Sequence, residues 1–306
     1  MKNKGYRKLL FAALAGIILT AVFTTPILAA GLKKIVAVSK FDNKTNWRGK
    51  WDLDNGMADQ LTDALIQSGQ FVVLERQTLK DVFDEQALAS SGATQKSKSA
   101  RAGKLTSAQI LVKGSITEYA QSSSGSDSGV SFKGFRIGGK KGEAHVGLII
   151  RLIDTTTGEV LDSKRVEGKA KSGGLSLGGS VKGVGFGTKG FKKTPLGKAT
   201  HKAIEEAVDF IADGLKGVPF QGRVIKVQGG TILISASAKT GASKGDKFTV
   251  FALGEELTDP ETGELLGSDE EEIGTIKIVT VKERFSKAKA VGSVDGIKRG
   301  DIIRSN

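Results

Sequence analysis

The stretch Gly173–Gly190, GGLSLGGSVKGVGFGTKG, places eight glycines in eighteen residues. It can be a flexible linker, a nucleotide-binding loop or a strand pair. Gly185-x-Gly187-x-x-Gly190 formally matches the dinucleotide fingerprint. That motif needs an apolar strand before it, a helix opening at its end and an acidic residue further on. Glycine and serine precede it here, Phe191–Thr194 separates it from the next helix, and Glu205 and Glu206 fall inside that helix. A linker fails because it would not keep alternation. Leu175, Leu177 and Val181 share parity, and after Gly183 the bulk moves to Val184 and Phe186. Alternation of this kind is a strand signal.

An earlier segment behaves alike. Val130 and Phe132 share a face, Phe135 and Ile137 follow, and Gly138–Gly142 makes a polar turn. The chain returns through Ala144, Val146, Leu148, Ile150 and Leu152. Each excursion, at about 120–153 and 159–193, therefore reads as a hairpin with one weakly apolar face and one polar, cationic face. Ser128–Ile137 matches the roughly 9–11 residues of a tilted membrane strand. One hairpin cannot satisfy its edges in lipid, whereas several copies closing a shared barrel can.

The flanking chain has a different character. KKIVAVSKF, Lys33–Phe41, is bulky on both sides and reads as a central strand covered on both faces. Met57, Leu61, Ala64 and Leu65 recur at helical spacing until Gly69, FVVLER follows as a strand, and Leu79, Val82 and Phe83 mark a second helix. After a polar loop, Ala89–Lys104, AQILVKGSITEY is a third strand. Pro195 opens a helix faced by Leu196, Ala199, Ala203, Ala207, Ile211 and Leu215. This order predicts an α/β layer, with the glycine-rich segments as excursions from one domain spanning 31–216. From Gly217, short strands with glycine turns predict a small all-β barrel over 217–306. KGDKFTV and KRGDIIR look like two matching turn-to-strand steps, and Asp259–Glu272 reads as a long acidic loop. The fold class is thus mixed α/β with an added β-barrel.

Residues 1–30 read as a secretory signal peptide: Lys2, Lys4, Arg7 and Lys8, an apolar run from Leu9 to Val22, then TPILAA. Export argues against nucleic acid as a partner despite the net charge of +13, which falls to +9 once those four cations are removed. Anionic lipid fits better. The sequence has no cysteine, which excludes disulfides and lipidation of a mature N-terminal cysteine. Two histidines, His145 and His201, have no partner nearby in sequence, so no catalytic residue, metal site or cofactor is assigned. The acidic loop lacks the ordered ligand spacing of a calcium site.

FVVLERQTLKDVFDEQ, LTSAQILVKGSITEY, LIIRLIDTTTGEVL and PLGKATHKAIEEAVDFI closely resemble the CsgG/HfaB family, over about Lys33–Leu215. The resemblance implies a ring-shaped homo-oligomer in which each subunit gives two hairpins to one transmembrane barrel above a periplasmic α/β domain. It also implies that the loop after the first strand forms a pore constriction, here with Asn46, Trp47, Arg48, Lys50 and Trp51. The hairpin residues Val130, Phe132, Phe135, Ile137, Leu175, Leu177, Val181, Val184 and Phe186 would then line the membrane. Three features depart from the family: the anchoring cysteine is absent, the loop and second hairpin look short, and the added C-terminal domain resembles that of the flagellar assembly protein FlgT. The expected function is an outer-membrane channel exporting an unfolded polypeptide or adhesin subunit, with outer-membrane lipid and a periplasmic accessory factor as partners. The alternative is a soluble periplasmic structural or regulatory protein, with the hairpins as interaction arms.

Overall fold

The structure is a computed structural model. It describes residues 31–47, 52–95, 105–125, 130–132, 135–137, 140–172, 189–263, 265–292 and 296–305. The expected signal segment lies outside them.

The chain begins with β1 (Lys34–Val38) and the two-residue β2 (Asp42–Asn43). The helix α1 (Leu53–Ser68), β3 (Phe71–Leu74) and the helix α2 (Leu79–Ser90) come next. Then β4 (Ile110–Gly125), β5 (Val130–Phe132), β6 (Phe135–Ile137), β7 (Lys140–Asp154) and β8 (Val160–Ser172) follow in order. The short α3 (Lys189–Lys193) and the long α4 (Pro195–Gly214) complete the first lobe. Its sheet runs β3-β1-β4-β7-β8, with β2 pairing β4. The β3-β1-β4 part is parallel and the β4-β7-β8 part antiparallel. Val36, Ala37 and Val38 are buried at its centre.

The helices follow their local chemistry. Asp52 caps α1 by accepting from the Asn55 N–H, and the helix stops at Gly69, whose φ of 67° suits glycine. Leu53, Met57, Leu61 and Leu65 form its buried stripe. Thr194 caps α4 through the Gly197 N–H at 2.9 Å, with Pro195 in the first turn. Its stripe of Leu196, Ala199, Ala203, Ala207 and Ile211 packs on β7 and β8. Helix α2 forms where its spacing predicts, but it buries no side chain.

The second lobe is a closed barrel. Its strands are β9 (Gln221–Gln228), β10 (Thr231–Ile234), β11 (Lys247–Thr258), β12 (Leu265–Val281), β13 (Ser286–Ala290) and β14 (Ile302–Ser305). They close in the order β10-β13-β12-β11-β14-β9. Phe220, Val224, Ile234, Phe248, Val250, Ile276, Ile278 and Ile303 fill it, forming a core separate from that of the first lobe. The sequence echo is a repeated turn. Gly245 and Gly300 both have φ 102°, and each is followed by an aspartate whose carboxylate accepts a backbone N–H three residues back. That N–H belongs to Ser243 for Asp246 and to Lys298 for Asp301. At the lobe junction, Leu32 packs against the barrel core and the Lys33 N–H donates to the Thr240 carbonyl at 2.9 Å.

One expectation is corrected in this lobe. The acidic stretch is mostly ladder rather than loop: β11 and β12 stay paired from Phe251 opposite Glu272 out to Thr258 opposite Leu265. Only Asp259–Gly263 turns, with the Asp259 carboxylate accepting from the Glu261 and Thr262 N–H groups. Outward-facing carboxylates on a two-stranded ribbon stay in water, so acidity does not preclude strand pairing.

Candidate functional site

The loop between β1 and α1 is fastened at both ends. β2 pairs with Ser115 and Ile116 of β4. The Asn43 carbonyl oxygen Oδ1 accepts from the Thr45 N–H and hydroxyl, and the Thr45 hydroxyl accepts from the Trp47 N–H at 3.1 Å. Trp47 is half-buried against the domain core, edge-on to Tyr119 with centroids 4.9 Å apart and planes at 83°. Its ring is thereby committed to its own subunit. Asn46 is exposed. Arg48, Lys50 and Trp51 lie outside the described residues.

Tyr119 marks the root of the first excursion. An extra residue between Ile116 and Glu118 shifts the β4 register, so that Ile116 and Tyr119 both turn inward. Burial pushes the Tyr119 hydroxyl pKa up. Beyond this point the pairing continues without a break. β4 stays on β7 out to Gly125 opposite Lys140, and β7 stays on β8 out to Gly142 opposite Ser172. Among the described residues Ala144 and Ala170 are the last buried ones along β7 and β8, and Ala120–Ser122, Glu143 and Lys171 are exposed. The hairpin stems are therefore the core strands themselves, prolonged past the packed layer.

The stems carry an ion cluster on the face opposite α4. His145 Nδ1 lies 2.8 Å from Glu118 Oε2, and its Nε2 lies 3.3 Å from Glu167 Oε2. Arg165 bridges the same two glutamates, and Lys169 Nζ sits 3.0 Å from Glu167. A hollow of about 240 Å³ borders His145. The sequence reading left His145 without a partner because Glu118 and Glu167 are brought to it only by strand pairing. The cluster ties β4, β7 and β8 together, and its half-exposed pairs each contribute modestly. No group of acidic or histidine side chains among the described residues is arranged to hold a metal.

At the tip, β5 and β6 pair with each other, Val130 opposite Ile137 and Phe132 opposite Phe135. Within the expected ten-residue strand Ser128–Ile137, the described residues form two short strands paired with each other rather than one. Leu175, Leu177, Val181, Val184 and Phe186 lie outside the described residues. No helix among the described residues is long and apolar enough to cross a membrane, which says nothing of crossing by strands.

A cleft of about 1020 Å³ opens between the lobes. Ile35, Val72 and Leu74 line it from the sheet, and Arg223, Lys239 and Arg284 from the barrel.

These features define an α/β scaffold whose sheet strands β4, β7 and β8 run on into the glycine-rich segments, with a β-barrel module following it. The chain belongs to the CsgG family: residues 24–221 match the family described as the curli production assembly/transport component CsgG. The match ends at the first residue of β9, so the barrel lies beyond it. A relative from Aquifex aeolicus, an uncharacterized protein, is 32% identical over 83 residues, 27% of this chain and 16% of that protein's length. Among solved structures, the hypothetical protein CT253 from Chlamydia trachomatis aligns with a TM-score of 0.38 at 14% identity, covering 60% of this chain and 98% of its own. The lipoprotein GNA1162 from Neisseria meningitidis aligns with a TM-score of 0.30 at 15% identity, covering 59% and 99%.

Proposed function

We propose that this protein is a non-enzymatic, ring-forming outer-membrane channel that exports an unfolded polypeptide, such as an adhesin or fibre subunit, by diffusion. One observation carries the reading: three core strands leave the packed layer as one uninterrupted ladder and feed both glycine-rich excursions. Arms of this kind are continuations of a rigid sheet, suited to joining their counterparts from other subunits in a closed barrel. Family membership supports the same reading. Under it, the loop anchored by Trp47 presents Asn46 and the segment 48–51 to the channel axis, repeated by rotational symmetry. The C-terminal barrel sits on the periplasmic side, where its resemblance to the flagellar protein's domain suits it to bind an accessory factor.

The test is reconstitution of protein extracted from outer-membrane fractions into planar bilayers. Arg48→Glu with Lys50→Glu shifts selectivity toward cations, because confined charges are poorly screened. Trp51→Ala raises conductance, whereas Trp47→Ala loosens the loop. Channels with unchanged selectivity would move the constriction elsewhere. A monomer in the soluble periplasmic fraction would favour the second reading, a periplasmic structural or regulatory protein with the hairpins as interaction arms. The polar stem residues Gln121–Ser124 are the observation in its favour.

A further inference from the structure

Among the described residues, one apolar face of the sheet carries no helix, and α2 buries no side chain. The step β1-α1-β3 moves one way along the sheet and β3-α2-β4 moves back. Right-handed crossovers therefore place α1 and α2 on opposite sides. Helices α1 and α4 cover the side of Val36, Val38 and Ile110. The strand register sets Ile35 beside Val72 and Ala37 beside both Leu74 and Leu111 on the other side. Where handedness calls for α2, the interlobe cleft lies open, and no α2 residue lines it. Phe83, on the apolar stripe of α2 with Leu79 and Val82, is 51% exposed.

The connection between β3 and α2 accounts for the separation. Gln77 Nε2 donates to Asp59 Oδ1 of α1 at 3.1 Å, and Glu75 Oε1 accepts from the Thr78 N–H at 2.9 Å. These bonds hold the start of α2 toward the α1 side and away from the chain's own cleft. Charge then selects the occupant. Asp81, Asp84 and Glu85 outweigh Lys80 on α2, while Arg223, Lys239 and Arg284 border the cleft against one acid, Asp154, and among the described residues Lys239 pairs with Glu283 at 3.3 Å.

We infer that α2 of one subunit seats its Leu79, Val82 and Phe83 stripe in the interlobe cleft of a second copy, with its acidic margin against Arg223 and Arg284. Each chain carries both surfaces, so the contact is heterologous, and repeating it generates a ring where the rotation closes. The inference rests on the oligomeric reading above and names the surface that holds the ring together.

The chain has no cysteine, so a cross-link can be placed cleanly. Full-length Glu85→Cys and Arg284→Cys variants, both at exposed positions, are produced singly and together and treated with a short bis-maleimide. The double variant gives a ladder of covalent multimers, and co-expressed single variants give covalent dimers. As a second readout, Phe83→Asp abolishes the assembled species in detergent sizing, while Leu88→Asp, on the other side of the helix, leaves it intact. A cross-linked monomer without dimers would overturn the inference, since α2 then closes on its own cleft. Assemblies that persist in Phe83→Asp without cross-links would also overturn it, with the ring reading untouched. A wild-type protein that stays monomeric in membranes removes the ring reading and the inference together.

Discussion

Asp52 shows how much one side chain can settle. Its carboxylate accepts the Asn55 N–H at 3.2 Å, and that bond holds its pKa below the usual carboxylate range. A depressed folded-state pKa stabilises above the unfolded value and loses that contribution as the pH falls through the folded one. Asp52→Ala should therefore cost about 1 kcal/mol in urea unfolding at neutral pH, and the gap from wild type should close in strong acid. An equal gap at both pH values would mean the side chain acts by something other than its charge. The Pro195 start of α4 was legible in the sequence because it acts within one turn, whereas the Asp52 cap was not read there. The partners of His145 were not legible: Glu118 and Glu167 stand 27 and 22 residues away and meet it only when three strands pair. Trp47 was legible as part of the loop but not in its role, since only the fold brings Tyr119 against its ring.

At the scale of elements, the closest packing is between α4 and β8. Gly168 faces the backbone of Ala199, and a Cβ there would run into the Ala199 carbonyl. Backbone cannot yield as a flexible side chain can, so Gly168→Ala should destabilise the first lobe by roughly 2–3 kcal/mol, lowering its thermal midpoint while the barrel's is unchanged. An unshifted midpoint would show that helix and strand slide apart cheaply. The elements themselves were legible wherever a period was strong: the stripes of α1 and α4, the alternation of β7, and the two glycine–aspartate turns of the barrel. The sequence reading erred where composition overrode pairing. Asp269–Glu272 were taken as loop but belong to β12, and Val130–Phe132 and Phe135–Ile137 form two paired strands, β5 and β6. Helix α2 was legible as a helix, yet its apolar stripe gave no sign that the chain would leave it uncovered.

For the whole molecule, two cores in one chain mean two sources of stability. The barrel closes on itself and meets the first lobe through the Leu32 packing, the backbone bond from Lys33 to Thr240, the approach of Ala238–Thr240 to β3, and the cleft walls. Residues 218–306 expressed alone should fold, giving a cooperative transition by circular dichroism, because a closed barrel of this size buries a sufficient core. A disordered product would show that Leu32 and the first lobe are required. The division into lobes could be read from the change of periodicity near Gly217. Which exposed face the proposed ring would cover could not, because a sequence marks buried and exposed faces without saying which exposed face a partner covers.

The unbroken ladder of β4, β7 and β8 also has a mechanical meaning. A tug along the strand axis loads many hydrogen bonds at once in shear. A tug across the axis opens them one rung at a time, like a zipper. The arms are thus stiff lengthwise and compliant sideways, and force applied at their tips arrives at the root, where Trp47 leans on Tyr119 and His145 is gripped by two glutamates.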